Sequence, residues 1–208
     1  MWYAALIAAV TCYLLGNLNG AVCVSALVAH DDVRKHGSGN AGLTNFIRNY
    51  GAANGLFVIA IDGMKAVLAC LAAGLILEPY GLGPEGMSLG GLAVMLGHVF
   101  PALLGFKGGK GILSGLFIAL TIDWRIALLI LLVFGIAYGV TQYVSLGSVL
   151  AAAAFGIGFV IFHHRQPIVM LCGIAMSILA IYMHKDNIRR LLTRQERKTN
   201  LFARGKSK

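Results

Sequence analysis

Long apolar runs separated by short polar breaks dominate the chain. They cover residues 2–29, 53–77, 87–104, 112–122, 126–140, 146–162 and 168–183. A helix needs about 20 residues to cross the hydrocarbon core of a bilayer, so the longer runs are candidate spans. Pro79, Pro84 and Pro167 lie in the breaks, where turns are expected. The pattern predicts an all-α, polytopic membrane protein with seven transmembrane helices, and six is the alternative.

Composition supports a membrane protein. Of the 208 residues, 58% are hydrophobic and only 12% are charged, whereas a soluble domain is about 25% charged. We expect one transmembrane domain over 1–192, with cytoplasmic loops at 30–50 and 105–111, and a basic tail over 193–208. The four cysteines lie in apolar runs and are interpreted as small buried thiols. No Lys or Arg precedes Arg34, so no cleavable signal peptide is expected.

The positive charges predict an orientation. If the N-terminus is outside, one face receives 14 of the 17 Lys and Arg residues, and the opposite face receives only Arg125 and Arg165. The positive-inside rule therefore places the C-terminus and the loops at 30–50 and 105–111 in the cytoplasm. Residues 185–208 carry nine basic side chains, which are expected to attract anionic membrane lipid. Nucleic acid is not expected as a partner, because no aromatic platform accompanies the charge.

Two glycine-rich loops are the candidate binding elements. Glycine loop 1 spans residues 37–45 and precedes Arg48, and glycine loop 2 spans residues 105–111. Glycine lets backbone N–H groups close around an anion, and a cation supplies the opposing charge. A helix that begins near Thr44 would add its dipole. The candidate phosphate-binding residues of the loops are Gly37, Gly39, Asn40, Gly42, Thr44, Asn45, Lys107, Gly108, Gly109 and Gly111.

Nucleotide binding does not fit either loop. Gly37-x-Gly39-x-x-Gly42 has the dinucleotide spacing, but an apolar helix and a basic run precede it instead of a strand. Glycine loop 2 has Gly111 where a Walker A motif needs Ser or Thr. Phosphate binding without a nucleotide fold remains. The structural alternatives are polar turns that cap helices in loop 1 and lysines that snorkel at a membrane boundary in loop 2.

Other polar residues within apolar runs are interpreted as structural. Asp62 and Lys65 are three residues apart on one helix face, and pairing would offset the cost of about 2.5–3.5 kcal/mol for a lone charge in the bilayer. His98 is interpreted as a hydrogen-bonded structural group. Four Gly-x-x-x-Gly motifs, beginning at residues 16, 86, 111 and 135, are expected to allow close helix contact. His184 and Asn187 share a helix face near the predicted cytoplasmic surface.

Three blocks resemble a known family. GSGNAGLTNFIR at 37–48, GHVFPALLGFKGGKG at 97–111 and HKDNIRRLL at 184–192 resemble the signatures of bacterial acyl-phosphate:glycerol-3-phosphate acyltransferases. Smaller similarities are Asp62-x-x-Lys65 and the segment 145–148, which adds Ser145 to the candidate substrate-binding residues. Departures are Leu43, Arg194 in place of a glycine, and the segment 16–20. The resemblance implies these catalytic residues: Ser38, Arg48, Lys110, His184 and Asn187.

The resemblance also implies an activity. Such enzymes lie in the bacterial cytoplasmic (inner) membrane and make lysophosphatidic acid from acyl phosphate and glycerol 3-phosphate. We expect the glycerol hydroxyl to attack the acyl carbon while cations and loop amides stabilise the departing phosphate. The proton passes to a phosphate oxygen, with His184 orienting the hydroxyl or acting as base. No metal, cofactor or obligatory protein partner is expected. The alternative is a transporter or channel for a phosphorylated anion.

Overall fold

Ten α-helices run through residues 1–198, the part of the chain that the computed structural model describes. The last ten residues of the predicted basic tail, 199–208, lie outside that part. No strand occurs among the described residues, which confirms the all-α prediction. The helices are α1 Trp2–Gly16, α2 Gly20–Ala29, α3 Leu43–Tyr50, α4 Ala52–Leu77, α5 Gly83–Val99, α6 Ile112–Ile122, α7 Trp124–Thr141, α8 Val144–His163, α9 Pro167–Met183 and α10 Lys185–Leu192.

Each predicted apolar run is occupied by helix. Within residues 1–198, five segments are long and apolar enough to cross a membrane: Trp2–Ala29, Ala52–Tyr80, Gly83–Leu104, Trp124–Thr141 and Val144–His163. A sixth is formed if α9 and α10, which meet at a 55° bend, are taken as one span. Helix α6 has only 11 residues, fewer than a full crossing needs. The count of seven spans and the orientation of the termini stay predictions.

The first apolar run contains a break that the sequence pattern did not show. Asn19 caps α2, its side chain accepting a hydrogen bond from the Val22 amide at 3.0 Å. The break leaves carbonyl groups of the preceding turn without helical partners. The Lys65 ammonium donates to the carbonyls of Leu18 at 2.6 Å and Gly16 at 3.3 Å. Lys65 therefore supplies hydrogen bonds to the carbonyl groups at the break, in addition to its predicted ion pair with Asp62.

Small residues let the central helices approach closely. A Cβ atom at Gly16 would lie 2.8 Å from the Gly97 Cα atom, and one at Gly90 would lie 2.6 Å from the Ala73 Cβ atom. These contacts join α1 to α5 and α5 to α4, as expected for Gly-x-x-x-Gly helix faces. The expectation is wrong for Gly135 and Gly139 of α7, which have open space around them within the described chain.

One end of the bundle gathers both glycine loops. The Arg34 guanidinium donates to the Leu104 carbonyl at 2.8 Å and pairs with Asp32 at 2.8 Å. The Asn40 amide donates to the Gly108 carbonyl at 3.4 Å, which joins the two loops directly. Because α10 packs against α8 and α9 at the same end, three segments distant in sequence surround one space.

Candidate active site

A cavity of about 780 Å³ lies at this end of the bundle. Most of the residues that the sequence singled out line it, and they come from five elements of the fold. They are Gly37, Ser38, Asn40, Gly42, Thr44, Asn45, Arg48, Lys110, Gly111, Ser145, His184 and Asn187. Four predicted residues of the glycine loops do not line it: Gly39, Lys107, Gly108 and Gly109.

Asn45 holds glycine loop 1 in shape. Its side-chain amide donates to the carbonyls of Val33, His36 and Asn40, each at 3.1 Å, and its oxygen accepts from the Ser38 amide at 3.0 Å. The side chain is buried, so these bonds are shielded from water. The amide predicted to bind phosphate is therefore engaged in positioning the loop backbone.

Two helices begin at the cavity without a side-chain cap. Gly42 precedes α3 and Gly111 precedes α6, and neither offers a side chain to the first-turn amides. Free N–H groups and the positive end of the helix dipole favour an anion at such a place. Helix α3 begins at Leu43, next to the predicted Thr44, and brings Arg48 to the cavity. Partial burial lowers the pKa of Arg48, and the charge of Glu196 opposes that effect.

Glycine loop 2 uses its glycines for close packing. A Cβ atom at Gly108 would lie 2.7 Å from the Val99 carbonyl oxygen, and one at Gly109 would overlap the His98 ring. The Gly109 amide donates to the His98 carbonyl at 3.1 Å, so it is not available to an anion. Lys107 is exposed outside the cavity, whereas Lys110 faces into it. The paired lysines of the sequence therefore have different surroundings.

A polar network fixes Lys110. Its ammonium donates to the Asn187 side-chain oxygen, and the Asn187 amide donates to Glu196 at 3.0 Å. Glu196 also accepts from the Arg190 guanidinium at 2.7 Å. Burial lowers the pKa of Lys110, as does the charge of Arg190. For Glu196 burial raises the pKa, but the hydrogen bonds from Arg190 and Asn187 bring its pKa below the usual range.

His184 has one ring nitrogen committed to the backbone. It is buried, and Nδ1 lies 2.8 Å from the Ala180 carbonyl oxygen. A carbonyl oxygen only accepts, so Nδ1 carries the proton in the neutral ring. The other ring nitrogen, Nε2, then has a free lone pair, and His184 lines the cavity. This tautomer can accept a hydrogen bond or a proton from a hydroxyl group.

Several lining residues were not singled out, or were interpreted as structural only. Asp62 and His98 reach the cavity from α4 and α5, although the predicted ion pair of Asp62 with Lys65 is present at 2.7 Å. The further polar residues are Asn49, Ser148, Arg190, Gln195, Glu196 and Arg197. The last three belong to the segment predicted as tail. A lone acidic residue within that basic stretch was the available signal for Glu196.

The chain turns at Arg194, which brings residues 195–197 back to the cavity. The φ of Arg194 is +57°, in the left-handed region that favours glycine. The Gln195 amide donates to the Arg190 carbonyl at 2.8 Å across this turn. Glycine is the residue type that this backbone conformation prefers, and here an arginine adopts it.

The opposite wall of the cavity is apolar. Helices α6, α7 and α8 contribute these side chains: Ile112, Leu113, Leu116, Ile130, Leu131, Phe134, Val144 and Ala151. Leu131 is exposed on the outer surface of the bundle as well as lining the cavity. The cavity therefore combines a polar part rich in cations and N–H donors with an apolar part that continues towards the lipid-facing surface.

Fold and site together define an integral membrane protein whose cavity suits a phosphorylated ligand with an apolar portion. Residues 6–194 match the family model described as "Glycerol-3-phosphate acyltransferase". The chain therefore belongs to the glycerol-3-phosphate acyltransferase family, and it is an integral membrane enzyme.

Relatives and solved structures agree with this assignment. A glycerol-3-phosphate acyltransferase of Finegoldia magna is 37% identical over 193 residues, covering 93% of this chain and 95% of the relative. One of Clostridioides difficile is 36% identical over 199 residues, covering 94% and 96%. A similar solved structure is the crystal structure of PlsY (YgiH), described as an integral membrane glycerol 3-phosphate acyltransferase in its glycerol 3-phosphate form. It is 33% identical, has a TM-score of 0.85, and the match covers 94% of this chain and 96% of that one. Its lysophosphatidic acid form has a TM-score of 0.82 at the same identity, covering 95% and 96%.

Proposed function

We propose that the protein transfers the acyl group of an acyl phosphate to the 1-hydroxyl of glycerol 3-phosphate, giving lysophosphatidic acid and inorganic phosphate. The observation that carries the proposal is the convergence of Arg48, Lys110, His184 and Asn187 on one cavity with an apolar wall. Two similar solved structures are described as the glycerol 3-phosphate form and the lysophosphatidic acid form of that enzyme. Those two molecules are the proposed acceptor and product here.

The polar part of the cavity is proposed to hold the phosphate groups. Arg48 and Lys110 supply charge, while Ser38 and the first-turn amides of α3 and α6 supply neutral donors. A charge-assisted hydrogen bond contributes about 1.5–3 kcal/mol, so two cations and several N–H groups suffice to orient a dianion. Asn187 is proposed to keep the Lys110 ammonium directed into the cavity through the bond between their side chains.

The reaction requires a nucleophile, a leaving group and a route for one proton. The glycerol hydroxyl forms a C–O bond to the acyl carbon, and the bond from that carbon to the phosphate oxygen breaks. His184 accepts the hydrogen bond of the attacking hydroxyl at Nε2. The proton passes to Nε2 or to an oxygen of the departing phosphate. Cations preorganised at the developing charge lower the barrier without moving during the step.

The apolar wall is proposed to receive the acyl chain. Leu116, Ile130 and Phe134 provide a surface that is continuous with the outside of α7 through Leu131. Removing apolar area from water contributes about 25 cal/mol per Å², which favours a donor with an acyl chain over a small anion. We also propose that the membrane is the bacterial cytoplasmic membrane and that the cavity faces the cytoplasm, because the basic loops flank it.

A reconstituted assay tests the proposal. Purified protein in detergent micelles is given an acyl phosphate and radiolabelled glycerol 3-phosphate, and lipid-soluble label is measured. Formation of lysophosphatidic acid is expected, and it excludes transport as the explanation because micelles have no sealed compartment. A parallel reaction with an acyl thioester tests the donor. Product from the thioester alone would contradict the acyl phosphate assignment, and no product from either donor would contradict the proposed function.

A further inference from the structure

The buried side chains of Asp62, Lys65 and His98 contact one another next to the cavity. The Lys65 ammonium lies 2.7 Å from the Asp62 carboxylate, 2.6 Å from the Leu18 carbonyl oxygen and 2.9 Å from Nδ1 of His98. An ammonium group has three N–H donors and no acceptor. A longer contact of 3.3 Å joins the ammonium to the Gly16 carbonyl oxygen, and every one of these partners must accept because the ammonium only donates.

The contact with Lys65 fixes the tautomer of His98. Because Nδ1 accepts from a donor-only group, the ring proton lies on Nε2. Nδ1 is 3.6 Å from the Asp62 carboxylate, which is beyond hydrogen-bond range, so the carboxylate offers no competing acceptor for a proton at Nδ1. His98 and His184 are therefore opposite tautomers: His98 presents an N–H group at Nε2, and His184 presents a lone pair there.

The Nε2 edge of His98 faces glycine loop 2 at Gly109, and the residue lines the cavity. The residue is 3% exposed and lines the cavity together with Asp62. Among residues 1–198 no group is recorded in a hydrogen bond with Nε2. Gly109 lies beside this edge, and any side chain there would overlap Nε2. An N–H donor of a cavity-lining residue that has no protein acceptor is available to an oxygen atom of a ligand or of water.

We infer that His98 is a further substrate-contacting residue, whose neutral Nε2–H donates a hydrogen bond to an oxygen of a bound phosphorylated substrate. The inference rests on the proposed function. The oxygen belongs to a phosphoryl group or to the acyl carbonyl, and of these the departing phosphate and the carbonyl oxygen gain negative charge during transfer. Asp62 and Lys65 are positioning residues, since they act by holding the ring and its tautomer. The proton stays on His98 throughout, because the group donates a hydrogen bond only.

The competing interpretation is that His98 merely completes the coordination of Lys65. The two interpretations depend on different ring nitrogens, and two amide substitutions separate them. In His98→Asn the shorter amide reaches the position of Nδ1 and can still accept from Lys65. In His98→Gln the longer amide reaches the position of Nε2 and can donate into the cavity.

The experiment compares kcat and KM of both variants with those of the wild type in detergent. Loss of one preorganised donor at a developing charge lowers kcat about 10²–10³-fold. We expect His98→Asn to lose at least 30-fold in kcat and His98→Gln to stay within about fivefold. The inference is overturned if His98→Asn equals or exceeds His98→Gln, if both resemble the wild type, or if both lose activity to the same extent.

The kinetic constants also identify the oxygen. A larger KM for glycerol 3-phosphate points to its phosphate, a larger KM for the donor points to the donor phosphate, and a change confined to kcat points to the acyl carbonyl. An inactive wild type would contradict the proposed function, whereas an active wild type with the wrong order of variants overturns only the role of His98.

A measurement on the wild type covers the case in which neither variant folds. In protein labelled with ¹⁵N-histidine, we expect one slowly exchanging imidazole in the Nε2–H form. Its Nε2 resonance should shift when glycerol 3-phosphate or a non-transferable acyl phosphonate is added. Absence of that tautomer, or an unchanged resonance with both ligands at saturation, would overturn the inference.

Discussion

The two glycine loops look alike in sequence and differ in what their glycines do. In glycine loop 1, Gly37 and Gly39 have φ of +60° and +70°, in the left-handed region. In glycine loop 2, Gly108 and Gly109 have ordinary backbone angles but no room for a side chain, because the end of α5 lies against them. Glycine is therefore required at Gly37 and Gly39 mainly by the backbone angle and at Gly108 and Gly109 by distance. Gly105 and Gly111, at the two ends of glycine loop 2, also have left-handed φ of +66° and +81°.

This difference changes where anion binding is expected. Glycine loop 1 is a turn shaped by Asn45, and it leads into the uncapped start of α3. Glycine loop 2 packs closely against the end of α5. This packing places Lys110 in the cavity and Lys107 outside it. A glycine-rich loop next to lysine therefore need not bind phosphate through its own amides.

The largest effect is expected from Lys110 of glycine loop 2, and Lys107 of the same loop is its matched control. Lys110→Ala removes a cation at the developing phosphate charge, so we expect kcat/KM to fall at least a hundredfold. Arg48→Ala should give a loss of the same order. Lys107→Ala should lower the rate less than fivefold, since Lys107 is exposed outside the cavity. Initial rates in detergent measure all three.

A surface control separates local from general charge effects. Lys35 is exposed beside glycine loop 1 and does not line the cavity, so Lys35→Ala removes one positive charge from the same end of the bundle. Its rate should match that of the wild type. If Lys107→Ala were as damaging as Lys110→Ala while Lys35→Ala was harmless, both lysines of the loop would belong to the site.

Stability distinguishes the two reasons for glycine. Gly108→Ala puts a methyl group against fixed backbone atoms of α5, so we expect a loss of about 1–3 kcal/mol or more. A methyl group at Gly39 would have room, since its nearest neighbour lies at 3.4 Å. Gly39→Ala should therefore lower the free energy of unfolding only by the cost of a left-handed alanine, about 1–2 kcal/mol. Thermal unfolding in detergent gives the order of the variants.

Asparagine tests the same contrast, because it adopts left-handed angles more readily than alanine. Gly39→Asn should therefore be more stable than Gly39→Ala. Gly108→Asn should be no better than Gly108→Ala, since its difficulty is lack of space. Rescue by asparagine at both positions would show that the two loops use glycine for the same reason.

The pH dependence of the rate tests the burial of Lys110. Burial lowers the pKa of Lys110, so its charged form is lost at a lower pH than that of an ordinary lysine. We expect an alkaline limb in kcat/KM below the usual lysine range. Lys110→Arg keeps its charge at high pH and should move that limb upward, whatever its rate at neutral pH. An unmoved limb would assign it to another group.

The smallest effect is expected at Arg194. Its left-handed backbone, with φ of +57°, costs an arginine about 1 kcal/mol that glycine does not incur, although glycine loses more entropy on folding. Arg194→Gly should raise the thermal unfolding midpoint slightly and leave kcat unchanged. A lower midpoint would mean that the Arg194 side chain stabilises the turn by more than the backbone penalty.

The helical fold and most of the cavity lining could be predicted from patterns that are local in sequence. Apolar runs predicted where helices lie, and three polar blocks predicted Arg48, Lys110 and His184 as neighbours. The break at Asn17–Asn19 and the return of Glu196 into the cavity could not be predicted, since both depend on contacts with distant residues. Nothing in the sequence indicates that His98 contacts Lys65 or lines the cavity, since both depend on the packing of α4 against α5, and a structural role was therefore the prediction.

The most direct test of the central claim is a crystal structure of this protein with glycerol 3-phosphate. We predict that the phosphate lies in the cavity within hydrogen-bond distance of Arg48 and Lys110, with the 1-hydroxyl directed towards Nε2 of His184. A phosphate bound on the outer side of glycine loop 2 near Lys107, with the cavity occupied by water alone, would contradict it.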